Sequence, residues 1–203
     1  MAPPTCGCVA AAGQSMPDLE PSIFPAFDSG ERNQSEFLSF ASRLKHPPKD
    51  PSQTCSALCA SWGVLLACFT GLDNVCFGFD STTHSGHADD VASTAHLHVP
   101  ADQTIRSILS GSFSALVLLS ESKAKTLFNT ALSIRSLTHG SSHVDGHQTN
   151  GKYSNEWCKI RMFVDPDTLD TILSWSPSFM TRQQAENISN TYEKIFMEMN
   201  DHP

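Results

Sequence analysis

"ASWGVLLACFTGLDNVCFGF", residues 60–79, sets two apolar runs back to back across a break at Thr70, Gly71 and Asp73. Extended backwards, the first run places Ala57, Leu58, Trp62, Leu65, Leu66 and Phe69 on one wide stripe. Its other faces carry Ala, Cys and Gly. That spacing predicts a mostly buried helix over about Gln53–Phe69. Thr70 and Gly71 close it. Asp73 and Asn74 make the turn, and Val75–Phe79 is a strand bounded by Gly78. A buried helix that feeds directly into a buried strand belongs to a layered domain of mixed α/β or α+β class.

Outward from this unit the signals weaken. On the N-terminal side, "SEFLSFASRLK" (35–45) puts Phe37, Phe40, Ala41 and Leu44 at helical spacing, with Ser35 as N-cap. "HPPKDP" then acts as a linker. Residues 1–34 hold Pro3, Pro4, Pro17, Pro21 and Pro25 and read as a flexible Pro-rich segment, pinned by Ile23, Phe24 and Phe27. Within 22–45, however, Phe24, Phe27, Phe37, Phe40 and Leu44 are too apolar for a simple linker, and this stretch is expected to pack onto the domain as a cover. The expected organisation is therefore 1–34 flexible, 35–50 a short helix and linker, and 51–203 the domain proper.

On the C-terminal side, residues 80–92 read as a polar loop, "TAHLHV" (94–99) as a half-buried strand and "PADQTIRSIL" (100–109) as a short helix. "SFSALVLLSES" (112–122) is ambiguous between helix and strand. "LFNTALSIRSL" (127–137) and "EWCKIRMFV" (156–164) are strands, separated by a Gly/Ser/His-rich loop over 138–155. "TLDTILSWSPSFM" (168–180) is extended or turn-like near Pro177. Thr181 and Gln184 form a capping box for a last helix with Ala185, Ile188, Tyr192, Ile195 and Met199 on one face. There is no internal repeat.

Composition bounds the function. The 203 residues are 39% hydrophobic and 17% charged, so a core is available but does not extend from end to end. The formal net charge of −8 disfavours nucleic acid as a partner. No apolar run reaches the ~18 residues of a membrane span, and the first 21 residues lack a secretory signal. The seven cysteines are odd in number. Cys55, Cys59, Cys68 and Cys76 sit in apolar runs, as small buried hydrophobes do. This reads as free thiols in a reducing, cytoplasmic setting. Cys6 and Cys8 ("CGC") lack the spacing of a zinc pair.

Ala60, Trp62, Leu65, Leu66, Thr70, Gly71, Asp73, Val75, Phe77 and Gly78 together resemble the pattern that opens the C-terminal lobe of condensation domains in nonribosomal peptide synthetases. Further pieces follow in the family's order. "HLHVPADQTIRSIL" resembles the next strand and helix, and "LFNTALSIRSL" the central strand. The segment from Cys158 to Phe196 resembles the closing strand and helix, and "EPSIFPAFDSGER" is similar to the lead-in before modules of fungal synthetases. The resemblance covers about two thirds of the chain and rests on order and spacing. It implies a single truncated lobe of the acyltransferase-like fold, a mixed sheet packed by helices.

The departures carry as much meaning. Catalysis in this family depends on a His-His-x-x-x-Asp-Gly motif in the N-terminal lobe. The chain starts at Met1 without room for that lobe, and its nearest string, "HSGHADD" from His84 to Asp90, has the wrong spacing. A glycine-proline-phenylalanine-like strand is missing, and residues 80–128 look pruned. One lobe cannot hold two thioester arms in line. No Gly-x-Ser-x-Gly elbow, Walker loop or dinucleotide fingerprint is present. His139, His143 and His147 lie four apart and His84 and His87 three apart, but glycines and serines between the first three argue against a helix, so these read as solvated loop residues. His96 and His98 read as the outer face of a strand. Trp62, Trp157 and Trp175 read as core anchors. No catalytic, cofactor-binding or metal-ligating residue is assigned.

The resemblance therefore implies a catalytically silent partial condensation domain, with a scaffold or docking role, at the N-terminus of a multimodular ATP-dependent synthetase. Its partners would be the following adenylation and carrier domains, with phosphopantetheine on the carriers and no cofactor on this chain. Among such parents, a D-lysergyl peptide synthetase of ergot alkaloid biosynthesis fits a truncated remnant. The alternatives are a docking module that recruits a separate carrier-bearing subunit, or a small acyltransferase whose site is completed by dimerisation.

Overall fold

Gly71 adopts φ 72° and ψ 17°, a left-handed conformation open to glycine at no steric cost, and its N–H donates to the Ala67 carbonyl at 2.8 Å. This closes helix α1 (Thr54–Thr70). The Thr70 hydroxyl donates to the Leu66 carbonyl at 2.8 Å and accepts the Leu72 N–H at 3.4 Å. Three residues later strand β2 (Asn74–Ser81) begins. The computed structural model describes residues 20–27, 37–45, 53–81, 91–100, 104, 107–108, 115–135 and 157–201.

The remaining elements are β1 (Leu38–Arg43), β3 (Val91–His98), β4 (Ala115–Ser120), α2 (Glu121–Leu127), β5 (Thr130–Ile134), β6 (Ile160–Val164), β7 (Asp170–Trp175) and α3 (Arg182–Asp201). The strands form one seven-stranded sheet in the order β1-β7-β6-β5-β2-β3-β4. β5 runs parallel to β2 and β6, and the other neighbours are antiparallel. The sheet is mixed, as expected for the class.

Alternation along the strands sends Val75, Phe77, Leu97, Leu132, Met162 and Leu173 to the face covered by α1 and α3. The Tyr192 hydroxyl donates to the Leu58 carbonyl at 3.1 Å, and its ring meets Trp62 edge-on at 5.7 Å, which ties α3 to α1. The capping box is formed: the Thr181 N–H donates to Gln184 Oε1 at 2.8 Å, and the Gln184 N–H donates back to Thr181 Oγ1 at 3.3 Å. Trp62 and Trp175 are core anchors, whereas Trp157 packs at the margin of a second, smaller cluster.

Two expectations are corrected. Residues 38–43, expected within a helix, form strand β1 against β7. Helical spacing of Phe37, Phe40, Ala41 and Leu44 lost to sheet hydrogen bonds and to the contact of Phe40 with the Trp175 ring at 5.9 Å. Part of the 1–34 segment, residues 20–27, is not flexible but packed, as the apolar side chains of 22–45 lead one to expect: Phe24 is 1% exposed. Its N–H donates to Asn129 Oδ1 at 2.8 Å, and Asn129 Nδ2 donates to its carbonyl at 3.0 Å. Within the ambiguous 112–122 stretch, residues 115–120 form β4 and α2 starts at Glu121. The loop expected over 80–92 is shorter at both ends, because Asp80 and Ser81 belong to β2 and Val91 and Ala92 to β3; residues 82–90, the expected loop over 138–155 and most of the short helix after Pro100 lie outside the described residues.

Candidate functional surfaces

The sheet face away from α1 and α3 is the natural place for a site. At one end α2 seals it with a small cluster around Cys76, Ala124, Leu127, Phe128 and Cys158. Towards the other end stand Asp80, Ser133, Arg161 and Phe163. The Ser133 hydroxyl donates to Asp80 Oδ2 at 3.4 Å. The Arg161 guanidinium lies 5.3 Å from the Phe37 ring and the Arg135 guanidinium 4.9 Å from the Phe163 ring. Both cations are stacked on aromatic rings.

Cys76 and His96 are direct cross-strand partners on this face, a juxtaposition that sequence spacing could not reveal. They do not make an activated dyad. The Cys76 thiol donates towards Ser22 Oγ (3.6 Å) and the Glu20 and Leu127 carbonyls (3.7 and 3.6 Å). Burial raises its pKa, against smaller lowering by the Ser22 hydrogen bonds. A buried neutral thiol is a poor nucleophile. Burial also lowers the pKa of half-buried His96, helped by the charge of His98. His98 is exposed and pairs through Nδ1 with Asn74 Oδ1 at 2.8 Å. Both histidines sit on the outer face, as their alternation with Leu97 predicts.

Burial likewise raises Cys158 and pushes Tyr192 well above its ordinary range. Each of these acids stays neutral in the folded chain at a pH where it ionises in the unfolded one. Their stabilising effect is whole below the unfolded values, 9.0 for the thiols and 10.0 for the phenol, and is lost as pH rises past them. These three groups should therefore make the melting temperature fall as pH rises above 9.0. A Tyr192→Phe chain should start about 1 kcal/mol less stable and lose less between neutral and alkaline pH. Equal alkaline losses in both chains would remove Tyr192 from this account.

On the opposite side, a groove of about 550 Å³ runs between the C-terminal halves of α1 and α3. Val64, Leu72, Val99, Ile195 and Met199 give it an apolar floor, and Asp73, Lys194 and Glu198 stand among its polar lining residues. Among the described residues no three His, Cys, Asp or Glu side chains are grouped to hold a metal ion, and no helix is long and apolar enough to cross a membrane. Cys55, Cys59, Cys68, Cys76 and Cys158 are not joined in disulfides. His84, His87, His139, His143, His147, Cys6 and Cys8 lie outside the described residues.

No family model matches the chain. It is 45% identical over 205 residues to Nonribosomal peptide synthetase 4 of Gibberella zeae, a match that covers 98% of this chain and 3% of that protein. It is 27% identical over 187 residues to D-lysergyl-peptide-synthetase subunit 2 of Epichloe festucae var. lolii, covering 77% of this chain and 13% of that protein. The chain thus spans a small part of the curated relatives it matches. Among solved structures, the starter condensation domain of rhizomide synthetase in complex with C8-CoA superposes with a TM-score of 0.60 at 10% identity, over 90% of this chain and 49% of that one. A four-domain nonribosomal peptide synthetase bound to AMP and glycine gives 0.53 at 15% identity, over 89% of this chain and 18% of that one. The shared fold corresponds to about half of a condensation domain.

Proposed function

The chain is a partial condensation domain related to fungal nonribosomal peptide synthetases, and from that premise we propose that it is catalytically silent and acts as a scaffold within a multimodular, ATP-dependent synthetase. One observation carries the reading: no two histidines are adjacent anywhere in the 203 residues, so the His-His-x-x-x-Asp-Gly motif is absent. The fold supports it, since half of a two-lobed domain presents one wall of a tunnel. Two carrier-bound thioesters are then not held in attack geometry, and the rate gain from proximity is lost. The proposed partners are the adenylation and carrier domains of the same polypeptide, with phosphopantetheine on the carriers, in the cytoplasm.

The test supplies the 203-residue chain with two carrier proteins loaded with different aminoacyl groups and follows the carrier-bound species by mass spectrometry. The expected result is no dipeptidyl product above a control without the chain. A dipeptide that needs the chain would overturn catalytic silence. The scaffold half has its own readout: removal of the chain from the parent polypeptide should lower the melting temperature of the remainder, and an unchanged value would reject it.

A further inference from the structure

We propose that β1 is a pairing edge for a second copy of this chain, with two β1 strands running antiparallel about a two-fold axis beside Phe40. β1 stands at one end of the sheet order, with β7 on one side and no described strand on the other. The direction of its backbone groups follows from its neighbour. The Leu44 N–H donates to the Leu169 carbonyl at 2.9 Å, in register with the β1–β7 pairing. Hydrogen-bonded pairs alternate in an antiparallel ladder. Ser42, Phe40 and Leu38 therefore bond inward to β7, and Ser39, Ala41 and Arg43 turn their N–H and C=O groups to the free edge.

Among the described residues that edge lacks the usual protection. β1 has no proline, keeps an unbroken register with β7, and carries one charge, Arg43, at its end. Arg43 is already engaged within its own chain, by Asp170 at 3.6 Å and the Thr168 carbonyl at 3.1 Å. Five of the six β1 residues are exposed, and Leu38, at 40%, is one of two large hydrophobic side chains exposed among the described residues.

A second β1 strand fits this edge with a defined register. Centred on Phe40, the pairing sets Ser39 opposite the partner's Ala41 and Ala41 opposite the partner's Ser39. These are the residues whose backbone groups point outward. Phe40 then meets its own copy at a non-hydrogen-bonded position, where side chains approach most closely. Leu38 is covered by Ser42 of the partner subunit, and Arg43 faces the partner's Phe37. No like charges are opposed, and the whole strand is used. Such an interface falls at the small end of specific contacts, so association should be about micromolar or weaker. Each copy carries −8, so added salt should strengthen the dimer by screening long-range repulsion. Edge-to-edge pairing does not stack two lobes face to face, and so does not rebuild a condensation tunnel.

Sedimentation of the full 203-residue chain up to about 100 µM should show a monomer–dimer equilibrium that shifts towards dimer as salt rises. Ala41→Pro removes an outward N–H without touching the β7 ladder, which an edge strand tolerates. It should leave the monomer's melting temperature close to that of the parent chain and abolish the dimer. In parallel, Phe40→Cys should give an intermolecular disulfide between the two introduced thiols under mild oxidation, identified by peptide mass spectrometry, and Ser42→Cys should not. A chain that stays monomeric at every concentration overturns the proposal, as does a dimer that survives Ala41→Pro. Crosslinking at Ser42→Cys in place of Phe40→Cys overturns the register.

Discussion

Phe24→Ala is expected to cost about 3–5 kcal/mol of unfolding free energy, and a chain that starts at Pro51 is expected to lose cooperative unfolding. Although Phe24 precedes every helix and strand of the domain, its ring sits 4.7 Å from Phe69 at the end of α1, 6.0 Å from Phe27 and 6.4 Å from Phe179. Two residues earlier, Ser22 serves the other face of the sheet. Its N–H donates to the Leu127 carbonyl at 2.7 Å, and its hydroxyl accepts the Cys76 N–H at 2.9 Å. The segment thus crosses the end of the sheet and straps α2 to the α1/α3 layer. Deleting it exposes apolar surface and orphans the buried Asn129 amide, at about 1–3 kcal/mol for each group left unsatisfied. It also strips β1 from β7. Against a total stability of about 5–15 kcal/mol for ordinary domains, those losses are enough to unfold the lobe. Chemical denaturation of Phe24→Ala, and solubility with calorimetry of the truncated chain, are the measurements. A chain from Pro51 that melts at the parent temperature would show that residues 20–45 are an appendage.

The strap marks where sequence reading stops. Local chemistry was legible wherever neighbours along the chain set the structure: the Thr70-Gly71 stop, the strand behind it, and the Thr181/Gln184 capping box. Phe24, Phe27 and Phe40 were visibly too apolar for a simple linker, but the hydrogen bonds of Asn129 to Phe24 cross 105 positions. No local pattern announces a partner at that distance. The helix expected at 35–45 failed for the same reason. Phe37, Phe40, Ala41 and Leu44 have helical spacing, and only the presence of β7, more than 125 residues later, makes the strand the better solution. Of the site, the missing histidine pair was readable, whereas the facing of Cys76 and His96 needed the sheet register.

Gly63→Val should destabilise the chain by about 3 kcal/mol, and Gly63→Ala by less. Glycine inside a helix ordinarily costs about 1 kcal/mol relative to alanine, so propensity alone predicts that Ala stabilises α1. Packing opposes this. A Cβ on Gly63 would collide with the end of the Leu97 side chain and lie 3.2 and 3.3 Å from its Cγ and Cβ. Leu97 is buried in the core, so its side chain has little room to turn aside. Overpacking of this kind costs about 1–3 kcal/mol, enough to cancel the propensity gain and reverse its sign. The two effects separate in a double-variant cycle. Leu97→Ala alone should cost about 2–5 kcal/mol through the cavity it leaves. Combined with Gly63→Ala, the new methyl group enters that cavity and the helix keeps its propensity gain, so the pair should cost less than the sum of the single changes by at least about 0.5 kcal/mol. A Gly63→Ala chain as stable as the parent would mean that Leu97 moves aside freely and that the approach of α1 to β3 is not set by this glycine.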